Sequence, residues 1–94
     1  MTPNSLPKHA AWFYVEEMDG ENLLYRIGAH KAIHLNATAT LIWKLCDGHR
    51  TVQDIIDLFK KEYPTSADAV AADVREAIEH LASEGALLDG LNSP

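Results

Sequence analysis

The chain predicts an α+β domain in which a three-stranded antiparallel sheet comes first and three helices follow. Three observations carry this. The aromatic and β-branched run Trp12-Phe13-Tyr14-Val15 is followed by Asp19-Gly20 and then by Leu23 to Ile27, the pattern of two strands joined by a tight turn. Asn36 and Thr51 each precede a segment whose apolar residues recur at helical spacing, as N-caps do. All segments of period two come before those of period 3.6, which segregates sheet from helices.

The elements follow in order. Residues 1–10 hold two prolines and little apolar content, and read as a flexible or extended lead-in. Gly28-Ala29-His30 allows a second turn. Lys31 to Leu35 then forms a third strand with Ile33 and Leu35 on one face and Ala32 and His34 on the other. Asn36 caps a first helix that places Ala39, Ile42, Leu45 and Cys46 on one stripe and stops at Gly48. Thr51 with Asp54 resembles a capping box, and Val52, Ile55, Ile56, Phe59 and Tyr63 mark the core face of a second helix ended by Pro64. Ser66 caps the third and longest helix, with Val70, Val74, Ala77, Ile78 and Leu81 inward and Asp68, Asp73, Glu76 and Glu79 in solvent. Gly85 closes it, and Ala86-Leu87-Leu88 returns as a short extended tail. The order β-β-β-α-α-α is close to a winged helix-turn-helix. Residues 11–89 form the domain, and residues 90–94 are expected as a disordered tail.

Composition bounds the function. A chain of 94 residues buries only about 60 to 65 per cent of its unfolded surface, enough for one small core. A groove therefore fits it better than an enclosed active site. Its net charge of −6 has the wrong sign for nucleic acid, whose affinity rests on clustered basic groups, and for an anionic membrane surface. No apolar run approaches the roughly 18 residues of a spanning helix, and the N-terminus lacks a basic segment followed by an apolar one. A cytoplasmic protein is expected. One cysteine, Cys46, permits no internal disulfide, in keeping with a reducing compartment.

Catalytic chemistry finds little support. Five histidines, His9, His30, His34, His49 and His80, invite a metal reading. On one strand His30 and His34 would stand about 13 Å apart, too far to share a zinc with bonds of about 2.0–2.1 Å. Neither a metal nor a cofactor is expected. Cys46 lies on the apolar stripe of the first helix, where burial raises a thiol pKa and removes the thiolate a nucleophile needs. Trp12, Phe13 and Tyr14 are either a partner platform or ordinary sheet residues, and Trp43 is expected to seal the seam between the first helix and the sheet.

Leu24-Tyr25, Leu35-Asn36, Ala39, Leu45-Cys46-Asp47-Gly48, Arg50-Thr51-Val52, Ile55, Asp73-Val74 and Gly85 together resemble the PqqD family, coenzyme PQQ synthesis protein D and its relatives. The likeness covers about residues 12–88. It implies a winged-helix-like domain called a RiPP recognition element. Such a domain binds the leader of a ribosomally made precursor peptide and presents it to a modifying enzyme, in PQQ synthesis a radical SAM protein. The resemblance implies a leader added as a strand on Lys31, Ala32, Ile33, His34 and Leu35. It also implies a groove walled by the third helix, with Val70, Val74, Arg75 and Ile78 as candidates.

The physics of that mode is general. An exposed edge strand offers unpaired main-chain groups that an extended peptide satisfies, while pockets supply specificity. About four to six hydrogen bonds at about 0.5–1.5 kcal/mol each, with two or three buried apolar side chains, offset by ordering of the peptide, predict micromolar to submicromolar affinity. Lys31 and Arg75 are either partners for acidic leader groups or solvated surface charges. Two other functions use the same elements. A helix-turn-helix regulator would rest on Lys44, Arg50, Lys60 and Lys61 alone, and an edge-strand dimerisation domain would pair with its own copy. The chain is expected as a monomer or weak homodimer.

Overall fold

A computed structural model describes residues 1–29 and 32–90. The elements are β1 (Pro7–His9), β2 (Phe13–Met18), β3 (Glu21–Arg26), β4 (Ala32–Leu35), α1 (Ala37–Leu45), α2 (Val52–Glu62), α3 (Ala67–Ser83) and β5 (Leu87–Asp89). The architecture is α+β. The antiparallel sheet β2-β3-β4 and the three helices stand as the sequence predicts, and the termini add a second, two-stranded sheet of β1 and β5.

The β2–β3 hairpin turns at Asp19 and Gly20, whose φ angles of 49° and 81° are the positive pair that a two-residue turn matched to strand twist requires. Because β2 pairs as far as Met18 opposite Glu21, it runs three residues beyond the expected Val15. Lys31, His30 and the tail residues 91–94 lie outside the described residues.

Helix caps follow the sequence closely at two positions. Asn36 Oδ1 accepts from Ala39 N at 2.8 Å. Thr51 and Asp54 form a reciprocal box, Asp54 N to Thr51 Oγ1 at 3.0 Å and Thr51 N to Asp54 Oδ2 at 3.0 Å. Ser66 occupies the N-cap of α3 but makes no side-chain cap bond, because a 3₁₀ turn over Pro64–Ser66 leads directly into the helix.

Three expectations are corrected. α1 ends at Leu45 with Cys46 as its cap, two residues before Gly48. The chain leaves the helix early because Asp47 bridges to Lys8 and Gly48 N donates to Pro7 O at 2.9 Å. Tyr63, expected in the core, is 52% exposed and stacks beside Phe59. Residues 7–9 of the expected lead-in form a strand, and the segment before them caps a helix. Val52 N donates to Ser5 O at 3.0 Å and Gln53 N to Pro3 O at 3.1 Å. Helix N-termini leave their first N–H groups without intrahelical partners, and here the chain's own start supplies the acceptors. The segment is a turn closed by Ser5 N donating to Thr2 O at 3.0 Å, with the Pro3 and Ser5 carbonyls turned to the helix.

One core holds these parts. Leu24, Ile33 and Leu35 from the sheet meet Ile42, Trp43 and Cys46 from the first helical segment, Ile55, Ile56 and Phe59 from α2, and Ala71, Val74, Ile78 and Leu81 from α3. Trp43 is 3% exposed. Its ring stacks on His9 of β1, in the two-stranded sheet rather than in β2-β3-β4, with centroids 3.6 Å apart, while His9 Nε2 donates to Trp43 O at 2.6 Å. Replacing Thr51 with Ala removes one half of the capping box and leaves the Pro3 and Ser5 contacts in place. Urea unfolding should show a loss of about 1 kcal/mol with an unchanged m-value.

Candidate functional site

β4 is held on one side only. Its register with β3 pairs Asn22 with Leu35, Leu23 with His34, Leu24 with Ile33 and Tyr25 with Ala32. No strand among the described residues lies along its other side. In an antiparallel pair, alternate residues turn N–H and C=O toward the partner and the residues between turn theirs away, so a four-residue strand presents about four main-chain groups outward. Leu35 O, at the end of the strand, accepts from Thr40 Oγ1 at 3.2 Å. Ile33 and Leu35 are buried and Ala32 and His34 exposed, the alternation read from the sequence. On the exposed face His34 Nε2 donates to Glu21 Oε1 at 2.5 Å, a diagonal cross-strand contact.

α3 approaches this strand at one end. Near its C-terminal end Glu84 shares a cleft with Ile33. Further back, Asp73, Glu76, Ala77 and His80 form one wall of an open groove of about 420 Å³. Asn36, Thr38 and Ala39 form the opposite wall, with Ile42 beneath. Asn36 directly follows β4 and so brings the end of the strand to the groove, although no residue of β4 itself lines it.

The third-helix residues implied by the family likeness sit elsewhere. Val74 and Ile78 are each 1% exposed and belong to the core, Val70 packs half-buried against it, and Arg75 is exposed. None of the four lines the groove. The groove face is displaced by one residue around the helix, and its signal in the sequence is the spacing i, i+3, i+4, i+7 of Asp73, Glu76, Ala77 and His80 beside the apolar stripe.

The profile of the family "Coenzyme PQQ synthesis protein D (PqqD)" matches residues 21–87, from the start of β3 to the start of β5. The chain belongs to the PqqD family. A relative from Methylococcus capsulatus (strain ATCC 33009 / NCIMB 11132 / Bath), named "PqqA binding protein", is 38% identical over 53 residues, 56% of this chain and 55% of the relative. The matched stretch thus spans about half the length of that curated relative. Among solved structures, "TbiB1 in Complex with the TbiA(beta) Leader Peptide" superposes with a TM-score of 0.72 at 24% identity, covering 85% of this chain and 93% of that one. That likeness is one of fold.

Within this PqqD-family chain the reactive side chains have structural work. Cys46 Sγ donates to Ile42 O at 3.1 Å, and its pKa is pushed up from 9.0 to about 12, first by burial and then by the Asp47 charge. Asp47 lies below the ordinary carboxylate value, held there chiefly by the His49 N–H and also by the Arg50 guanidinium at 2.6 Å. Among the described residues no group of three or more His, Cys, Asp and Glu is placed to hold a metal ion, and no helix is long and apolar enough to cross a membrane.

Cys46 gives a direct check. With a pKa of about 12, only about one thiol in ten thousand is ionised at pH 8, and thiolate is the reactive form. Iodoacetamide should leave the native protein unmodified at pH 8 and label it fully in 6 M guanidinium. Because the unfolded thiol ionises near 9.0 and the folded one near about 12, its contribution to stability is lost as pH rises through that window. Rapid labelling of the native chain would contradict this placement.

Proposed function

We propose that the protein is a non-catalytic peptide-recognition domain that takes the leader of a ribosomally made precursor peptide as an added strand on β4 and presents it to a modifying enzyme. The observation that carries this reading is the open edge of β4, a strand whose end at Asn36 meets the groove between α1 and α3. An edge strand binds an extended peptide through main-chain pairing, and an adjoining groove reads its side chains. PqqD-family membership supports the reading. So do the name of the Methylococcus relative, which states that it binds PqqA, and the fold shared with a protein solved with a leader peptide. The precursor is accordingly a PqqA-like peptide, and the enzyme is of the radical SAM type that the family likeness implies. The domain acts in the cytoplasm as a monomer or weak homodimer.

The outline is winged helix-turn-helix-like, with the β2–β3 hairpin as wing, but its charge suits a peptide rather than a duplex. Arg50, one of the few basic groups near the α1–α2 turn, is tied to Asp47 at 2.6 Å, and the net charge is −6. Phosphate-driven binding requires the opposite balance. Groove-lining Asp73, Glu76, Ala77 and His80 take the place of Val74 and Ile78 as the helical contacts of the peptide, beside Lys31, Ala32, Ile33, His34 and Leu35.

An NMR titration of the ¹⁵N-labelled domain with a synthetic PqqA-type precursor encoded by the same genome tests the proposal. Amide shifts should concentrate in Ala32–Leu35 and in Asp73, Glu76, Ala77 and His80, with residues 52–62 unmoved. Shifts centred on residues 52–62 would put the peptide on the wrong face.

A further inference from the structure

The groove between α1 and α3, reached from the end of β4 at Asn36, has a chemistry of its own. Ala39 and Ala77 face it from opposite helices with Ile42 below, so short side chains leave room above an apolar floor. Its rim is anionic. Asp73 and Glu76, both exposed, stand one turn apart on α3, where i, i+3 residues are neighbours and like charges repel. Among the described residues no lysine or arginine lines the groove, and His80 is its remaining titratable wall. Arg75, between the two carboxylates in sequence, projects from a different side of the helix.

Long basic side chains match this shape. Lysine and arginine lay three or four methylenes along apolar surface while the charged head stays in water. Over this groove the stem would cover Ala39, Ile42 and Ala77 and bring the head to Asp73 and Glu76. Arginine adds a planar fork suited to carboxylates. A purely apolar side chain would fill the floor and leave the rim carboxylates facing each other.

Resting on the reading of β4 as the peptide-pairing strand, we infer that the groove selects a precursor peptide carrying an arginine or lysine at the position that abuts Asn36. Asp73 and Glu76 are the specificity-determining residues. The expectation reverses the charge sense that Lys31 and Arg75 suggest from sequence alone, because Arg75 does not line the groove.

The test is an arginine scan of the synthetic PqqA-type peptide, each position replaced in turn by arginine and by its neutral isostere citrulline, with affinities measured by calorimetry at low salt. At one position arginine should bind about five- to tenfold tighter than citrulline, in line with one or two exposed ion pairs. Asp73→Asn and Glu76→Gln should each remove about two- to fivefold of that preference, leaving citrulline peptides unaffected. Asp68→Asn, which makes the same change of net charge at the far end of α3, should leave the preference intact. Equal affinity for arginine and citrulline at every position, with the parent peptide still bound, would overturn the inference and spare the pairing on β4. Failure of the parent peptide to bind at all would overturn both.

Discussion

Backbone hydrogen bonding along β4 is the constraint on which the rest of the structure depends. Every buried N–H and C=O must find a partner, and an open edge is a liability that folds normally cover. Here the strand is fixed on three sides and left open on the fourth. β3 pairs its inner edge, Ile33 and Leu35 anchor its face in the core, and Thr40 and the Asn36 cap tie its end to α1. A strand pinned in this way pays little conformational entropy on binding. Its shortness, four residues, limits indiscriminate pairing.

The remaining edges are handled differently. β2 is the other edge of its sheet, and Glu16 and Glu17 on it oppose self-association by charge. β1 and β5 form a separate sheet, beside which Ala86 O accepts from Ala10 N at 2.9 Å and Gly90 N donates to Leu6 O at 2.7 Å. The start of the chain thereby serves as cap for α2 and as cover for Trp43. The outer edge of β4 is left without a strand partner among the described residues.

Much of this was legible in the sequence because the signals are local. Asn36, the Thr51–Asp54 box and the Asp19-Gly20 turn specify their own backbone geometry, and the alternation of Ile33 and Leu35 with Ala32 and His34 fixes the buried face of β4. What was not legible depends on distant partners. β1 has no strand pattern, since three residues beginning at Pro7 pair only because β5 and Asp47 arrive beside them. The same contacts pull the chain out of α1 before Gly48. On α3 the apolar stripe was read correctly as core at Val74 and Ile78, the same residues that the family likeness offered as groove contacts. The polar stripe one residue around, Asp73 to His80, looked like an ordinary solvated face until α1 was placed opposite it.

The central claim is that main-chain pairing on β4, rather than side-chain docking alone, holds the peptide. It is tested most directly by backbone N-methylation of the PqqA-type peptide, one residue at a time, with affinity measured by calorimetry. An N-methyl group removes a donor and leaves the side chain intact. The account predicts losses at alternate residues across the paired stretch, because only every second N–H of an added strand points to β4. Uniformly small losses, or losses recurring every three to four residues, would contradict it and indicate side-chain docking or a bound helix.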